Sequence, residues 1–210
     1  THIFYWEKEN KITDEGIKVI VPKNSLYDDC FVTYEKVIDS LNKEPIYKIL
    51  SNQALHSNME LKIQIPKTFL DNPKLKNKFI VVEKRGVYIF SKGGKEEGNE
   101  IIAKVNSFGE FGVSYDTIAP EINPINFKSN KKLSKNQTTL KVRIKDNISG
   151  IKTYKGYLNN KWILMEYDGK SSTLIYTIDS KELNSSINTL RVVVSDKVSN
   201  IGDISFKILK

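Results

Sequence analysis

The chain has 210 residues, 39% of them hydrophobic and 28% charged, with 6 Pro and 11 Gly. This is the composition of an ordered protein and excludes a disordered or collagen-like one. The net charge of +8 raises nucleic acid as a partner, but only Arg85, Arg143 and Arg191 among the 33 basic residues are arginine. The bidentate forks that read phosphate and base are therefore scarce, and no nucleic acid partner is expected.

The length suits two domains of about 100 residues each. Cys30 stands alone, which excludes an internal disulfide framework and a cysteine-rich zinc site. No window approaches about 18 consecutive apolar residues, so no transmembrane helix is expected. The opening THIFYWEKEN lacks the basic and apolar regions of a signal peptide; an exported form is expected to have lost its signal.

Along the chain, period-two alternation recurs and predicts half-buried antiparallel strands. In GIKVIVP, the residues Ile17, Val19 and Val21 share a face. Cys30 follows beside an apolar run in SLYDDCFVTYE and is expected to be a buried structural thiol. His56 falls in a loop, and Met59, Leu61, Ile63 and Ile65 then share a face in MELKIQIP. KTFLDNPKLK is a short helix candidate that Pro73 limits. FIVVEKRGVYIF predicts two short strands about a turn near Lys84 to Gly86, and EIIAKVNSFGEFGVSYD another pair punctuated by Gly109 and Gly112. SKGGKEEGNE, between them, is a hairpin loop, because no helix follows it to make a phosphate cradle.

YDTIAPEINPINF marks a seam. Pro120 and Pro124 remove two backbone donors and force extended geometry before them. The boundary is placed at Asp116 to Ala119, giving an all-β chain with a sandwich domain over residues 1–116 and a second over 117–210. Beyond the seam seven strand candidates recur at the spacing of an immunoglobulin-like sandwich: EINPINF, TTLKVRIKD, IKTYKGYL, KWILMEYD, STLIYTID, TLRVVVSD and ISFKILK. In the second of these Leu140, Val142 and Ile144 alternate with Lys141, Arg143 and Lys145, which points the lysines of such strands to solvent. DSKELNSS, near Asp179, offers at most one helical turn.

The most distinctive stretch is DNISGIKTYKGYLNNKWILMEYD, Asp146 to Asp168. Asn159 and Asn160 tolerate positive φ and predict a two-residue hairpin turn that pairs Leu158 with Lys161 and Tyr157 with Trp162. On that register Tyr157, Trp162, Leu164 and Glu166 share one face, and Tyr154, Ile163, Met165 and Tyr167 the other. One face belongs to the core and the other to a candidate interaction surface, with Trp162 expected as the anchor between sheets. Tyr154, Tyr157, Trp162 and Tyr167 are the candidate binding residues.

Catalytic patterns are scarce. His2 and His56 are the two histidines, and neither sits in a metal-binding or nucleophile motif. Asp28 with Asp29, and Glu96 with Glu97, are neighbours that point opposite ways on a strand. Glu166 and Asp168 are the acids set among aromatics, and they carry the alternative reading of a glycan-active enzyme. Asp146 and Asp196 sit at strand ends, where turn capping is a simpler role than calcium binding. No cofactor is expected.

DTIAPEI, the Asp146 to Asp168 stretch and VVVSDKVSNIGD together resemble the C-terminal immunoglobulin-like module of lysostaphin-type peptidoglycan zinc metallopeptidases from Gram-negative bacteria. Upstream, VPKNSLYDDCFVTYE, EPIYKI and VEKRGVYIFSKGG with IIAKVNSFGEFGVSYD are similar to the β-rich segment between the zinc peptidase domain and that module. The zinc ligands and catalytic histidines of the family have no matching positions here. The resemblance implies a non-catalytic part of an exported protein, periplasmic or at the cell surface. Its implied partners are peptidoglycan, an envelope protein, or a peptidase domain of the same polypeptide; a structural or adhesive spacer is the alternative.

Overall fold

The computed structural model describes every residue except Leu41, Ser180, Asn184 and Lys210. The chain divides into two units, Thr1–Thr117 and Ile118–Lys210, and both are built of strands.

Unit 1 begins with β1 (His2–Phe4), β2 (Asn10–Asp14), β3 (Ile17–Val21), β4 (Cys30–Ile38), β5 (Pro45–Ser51) and β6 (Met59–Gln64). A four-residue helix, α1 (Lys67–Leu70), and a 3-10 turn at Pro73–Leu75 follow, separated where Pro73 holds Asn72 extended before opening the second turn. Then come β7 (Phe79–Arg85), β8 (Tyr88–Gly93), β9 (Lys95–Glu97), β10 (Glu100–Val105) and β11 (Gly109–Tyr115). Two antiparallel sheets result, in the orders β1-β4-β5-β11-β7-β8 and β2-β3-β6-β10-β9. The alternation in sequence sets which side chains lie between them. Ile17, Val19 and Val21 from β3, and Met59, Leu61, Ile63 and Ile65 from β6 and its end, are all buried in one core with Phe4, Tyr47, Ile49, Phe79 and Phe111. Cys30 is buried there as a free thiol.

The expected β10–β11 pair is corrected. β10 pairs with β6 and β9 in one sheet, whereas β11 pairs with β5 and β7 in the other, so Asn106–Phe108 carries the chain between sheets. Gly112 lies inside β11 rather than at a turn. A Cβ there would stand 2.7 Å from Ile46 Cδ1 and 3.2 Å from the Pro45 carbonyl, so its smallness serves strand packing. SKGGKEEGNE holds the end of β8, all of β9 and a tight turn at Gly98–Asn99 that pairs Glu97 with Glu100.

Unit 2 contains β12 (Glu121–Pro124), β13 (Lys131–Lys132), β14 (Thr139–Lys145), β15 (Ile151–Leu158), β16 (Lys161–Ile163), β17 (Glu166–Asp168), β18 (Thr173–Thr177), β19 (Ile187–Asp196) and β20 (Ile201–Leu209). One sheet runs β12-β14-β18-β17 and the other β13-β20-β19-β15-β16, with β13 parallel to β20. This is the strand order of an immunoglobulin-like sandwich. Leu140, Val142, Ile144 and Leu174 from the first sheet and Leu190, Val192, Val194, Phe206 and Ile208 from the second form a shared core. The region expected to hold at most one helical turn, DSKELNSS, includes Ser180 and Asn184, which lie outside the described residues; Asp179 and Glu182 within it close a turn through the Glu182 N–H and the Asp179 carbonyl at 2.9 Å.

Among the described residues the seven expected strands become nine, because KWILMEYD is not one strand and β13 is added. β16 stays with β15, and β17 crosses to pair with β18 in the opposite sheet. Alternation survives the crossing: Ile163 and Met165 point to the core and Leu164 to solvent. An extended segment at a sandwich edge can change sheets while keeping its inward residues inward.

Candidate binding cleft at the edge of unit 2

The hairpin forms as the Asn pair requires. Asn159 and Asn160 take φ values of 51° and 66°, the left-handed pair of a two-residue hairpin turn, and Tyr157 faces Trp162 while Leu158 faces Lys161. Asn159 also ties the turn down: its Nδ2 donates to Asn188 Oδ1 at 2.8 Å, and its Oδ1 accepts from the Thr189 N–H at 2.9 Å.

Parity then decides the faces. Gly156, Leu158 and Ile163 point inward, so Tyr157 and Trp162 point outward from the sheet, and Trp162 is 59% exposed. The expectation of Trp162 as an inter-sheet anchor is therefore corrected. That place is filled by Met165, for which Gly156 leaves room: a Cβ on Gly156 would lie 2.5 Å from Met165 Sδ. An unbranched thioether fills such an irregular gap where a rigid indole does not fit.

The four aromatics separate into two pairs. Tyr154 and Tyr167 come from opposite sheets and meet at the open edge, their ring centroids 5.6 Å apart. Tyr157 lies on the outer face beneath Arg191, whose Cζ is 5.9 Å from the ring centroid and whose guanidinium is held by both carboxylate oxygens of Asp203 at 2.8 and 2.5 Å. Arg191 holds the Asp203 carboxyl below its usual range. Of the four, Trp162 alone lines the neighbouring cleft.

That cleft, about 480 Å³ in volume, lies where the chain changes sheets, with Trp162, Leu164, Glu166, Ile175, Tyr176 and Glu182 among its walls. Glu182 accepts a hydrogen bond from the Tyr176 hydroxyl. Burial, helped by that bond, pushes the Tyr176 hydroxyl up to about 12, so it remains a donor at neutral pH and fixes the carboxylate. An exposed indole edge beside two carboxylates can stack an apolar ring face and accept hydroxyl or amide protons around its rim.

Asp168 does not share the cleft. Its Oδ2 accepts from Ser171 Oγ at 2.6 Å and its Oδ1 from the Lys170 N–H at 3.0 Å, and these bonds hold its carboxyl below the ordinary range. Glu166 and Asp168 thus differ in setting: the first is a cleft wall, the second a turn cap. Glu182, the second carboxylate of the cleft, escaped sequence reading because it lies in a turn outside the strands, where no period assigns a direction. Asp146 and Asp196 each cap a turn. Asp146 Oδ2 accepts from the Gly150 N–H at 2.6 Å, and Asp196 Oδ1 from the Asn200 N–H at 2.7 Å.

Charge is unevenly divided. Residues 1–117 carry 17 basic and 17 acidic side chains, whereas residues 118–210 carry 16 basic against 8 acidic, so the whole excess of +8 belongs to unit 2. Lys128, Lys131, Lys132 and Lys135 are exposed along and beside β13.

A family model described as Zu5-like domain matches residues 1–116. No curated protein matches the chain.

Proposed function

We propose that this chain, which belongs to the Zu5-like domain family, is a non-catalytic binding and positioning module of the bacterial cell envelope, the accessory part of a peptidoglycan-directed metallopeptidase. The observation that carries this reading is the exposed Trp162 in a cleft walled by Glu166 and Glu182. Stacking on the indole and hydrogen bonding to the carboxylates suit an N-acetylated glycan, whose sugar rings offer apolar faces and whose hydroxyls and amide N–H groups donate. The concentration of positive charge in unit 2 supports the same reading, since it draws that unit toward anionic surfaces. The resemblance of DNISGIKTYKGYLNNKWILMEYD to the module of lysostaphin-type enzymes supplies the envelope setting.

No bond is made or broken in such a role. A weak grip on the polymer raises the effective concentration of substrate around a tethered catalytic domain, and affinity in the millimolar range is enough for that effect. The test is titration of a Trp6→Phe variant, in which Trp162 is the remaining tryptophan, with a linear oligomer of N-acetylglucosamine. Saturable change in Trp162 fluorescence supports the reading. No change up to the solubility limit of the oligomer removes the glycan from it.

A further inference from the structure

Unit 1 holds a larger cavity, about 580 Å³, at the end of its sandwich where the β2–β3 turn, the start of β5, the end of β6 and α1 converge. Its floor includes the hydroxyl of Tyr47. The ring is part of the core, the residue is 1% exposed, and among the described residues no group hydrogen-bonds the hydroxyl. The hydroxyl oxygen is not among the fully buried polar atoms; it opens on the cavity side, where an incoming acceptor can take its proton in place of water. Gly16 keeps that side open: it takes φ +86°, and a Cβ there would collide with the Tyr47 hydroxyl.

The walls indicate the partner's chemistry. Three carboxylates, Glu15, Glu44 and Asp71, stand against the ammoniums of Lys36 and Lys67. Lys36 is already engaged, with Nζ 3.5 Å from the Glu15 carboxylate and 3.1 Å from the Glu15 carbonyl. Glu44 is oriented by Thr68 Oγ1, which donates to it at 2.6 Å. The amide of Gln64 adds a neutral donor and acceptor. Burial, with Asp14 and Glu15 nearby, pushes the Tyr47 hydroxyl up to about 12, so it is a neutral donor that seeks an acceptor. The ring itself is turned into the core, so the cavity lacks the flat platform that a sugar would stack on, and its acidic balance disfavours an anion.

We propose that this cavity binds a short peptide segment carrying an ammonium group, with a peptide carbonyl accepting the Tyr47 proton and the ammonium set against Glu44 and Asp71. The site is separate from the Trp162 cleft and stands without it. A cavity of this size falls in the range that encloses a ligand of a few residues.

The experiment uses the full chain and two probes: Gly-Lys-Gly blocked at both termini, and its twin acetylated on the lysine side chain. Titration followed by amide chemical shifts is expected to show saturable binding of the charged peptide, with shifts around Tyr47 and Glu44, and weaker binding of the acetylated one. Tyr47→Phe is expected to weaken the charged peptide by about three- to tenfold, as loss of one hydrogen bond does, without lowering the unfolding midpoint. Glu44→Gln is expected to remove the preference for the charged probe. Absence of saturable binding, equal affinity for the two probes, unchanged affinity in Tyr47→Phe, or a lowered midpoint in that variant each overturns the proposal.

Discussion

Tyr157 and Trp162 face each other across the β15–β16 hairpin on the solvent side of the sheet, while their neighbours Leu158 and Ile163 point into the core. Inverting that parity would put two large aromatics where Gly156 and Met165 now pack. The exposure of Trp162 is thus dictated by the turn, not left over from it. Trp162→Ala is expected to change unfolding free energy by no more than about 0.5 kcal/mol, as exposed sites do, whereas Ile163→Ala loses about 2–5 kcal/mol through the cavity it leaves. Urea unfolding of the two variants checks the contrast.

Gly202 offers a second measure of packing in unit 2. A Cβ there would lie 2.5 Å from the Pro120 carbonyl oxygen and 3.2 Å from Ile122 Cδ1, and backbone cannot yield as a side chain can. Gly202→Ala is expected to cost about 1–3 kcal/mol, the range of overpacked cores. Gly169→Ala, whose nearest neighbour is Tyr167 Cε1 at 3.8 Å, is expected to be close to neutral. Paired thermal melts decide it.

Glu83 sets the acid limit of unit 1. The residue is buried on β7, and its carboxylate accepts from Arg85 Nε at 2.8 Å and lies 2.6 Å from Lys92 Nζ. Burial alone would raise its pKa, but the two cations outweigh burial and hold it below the ordinary value. Because the folded value lies below the unfolded one, near about 4.3 for glutamate, the ionised form contributes its full stability above the unfolded value. That contribution fades as pH falls through the folded value. Stability of unit 1 is expected to drop below about pH 4, and Glu83→Gln to be destabilised at pH 7 by about 1.5–3 kcal/mol while losing part of that acid slope. Urea unfolding of the full chain at several pH values, followed by amide signals of β7 and β11, measures both.

Much of the fold was legible in the sequence because strand alternation is a local signal. Ile17, Val19 and Val21, Met59, Leu61 and Ile63, and Leu140, Val142 and Ile144 are core residues as their period requires. The Asn159–Asn160 turn was legible for the same reason, since positive φ is a property of the residue itself. What sequence could not supply was the partner of each strand. β10 and β11 follow one another yet lie in different sheets, and KWILMEYD crosses between sheets at Leu164 and Met165. Both depend on nonlocal packing, to which alternation is blind. The cleft was half visible for that reason: Trp162 and Glu166 belong to a strand pattern, while Glu182 enters from a loop.

The division of charge yields a further expectation. With the excess of +8 confined to unit 2, replacing Lys131 and Lys132 by Glu is expected to lower association of the full chain with anionic vesicles or polymers and to flatten its salt dependence. Replacing Lys74 and Lys76 of unit 1 in the same way is expected to do less. Surface charges act through a field that salt screens over about 10 Å at moderate ionic strength, so a salt series on both variants separates local from overall charge.

The binding role is tested most directly by co-sedimentation of the full chain with purified peptidoglycan at low and high salt, alongside Trp162→Ala. The predicted result is retention of the wild-type chain that persists at high salt and is lost in Trp162→Ala, whose fold is unchanged. No retention at low salt, or retention that high salt abolishes and that Trp162→Ala leaves intact, would contradict it, reducing unit 2 to a spacer or to lysine electrostatics.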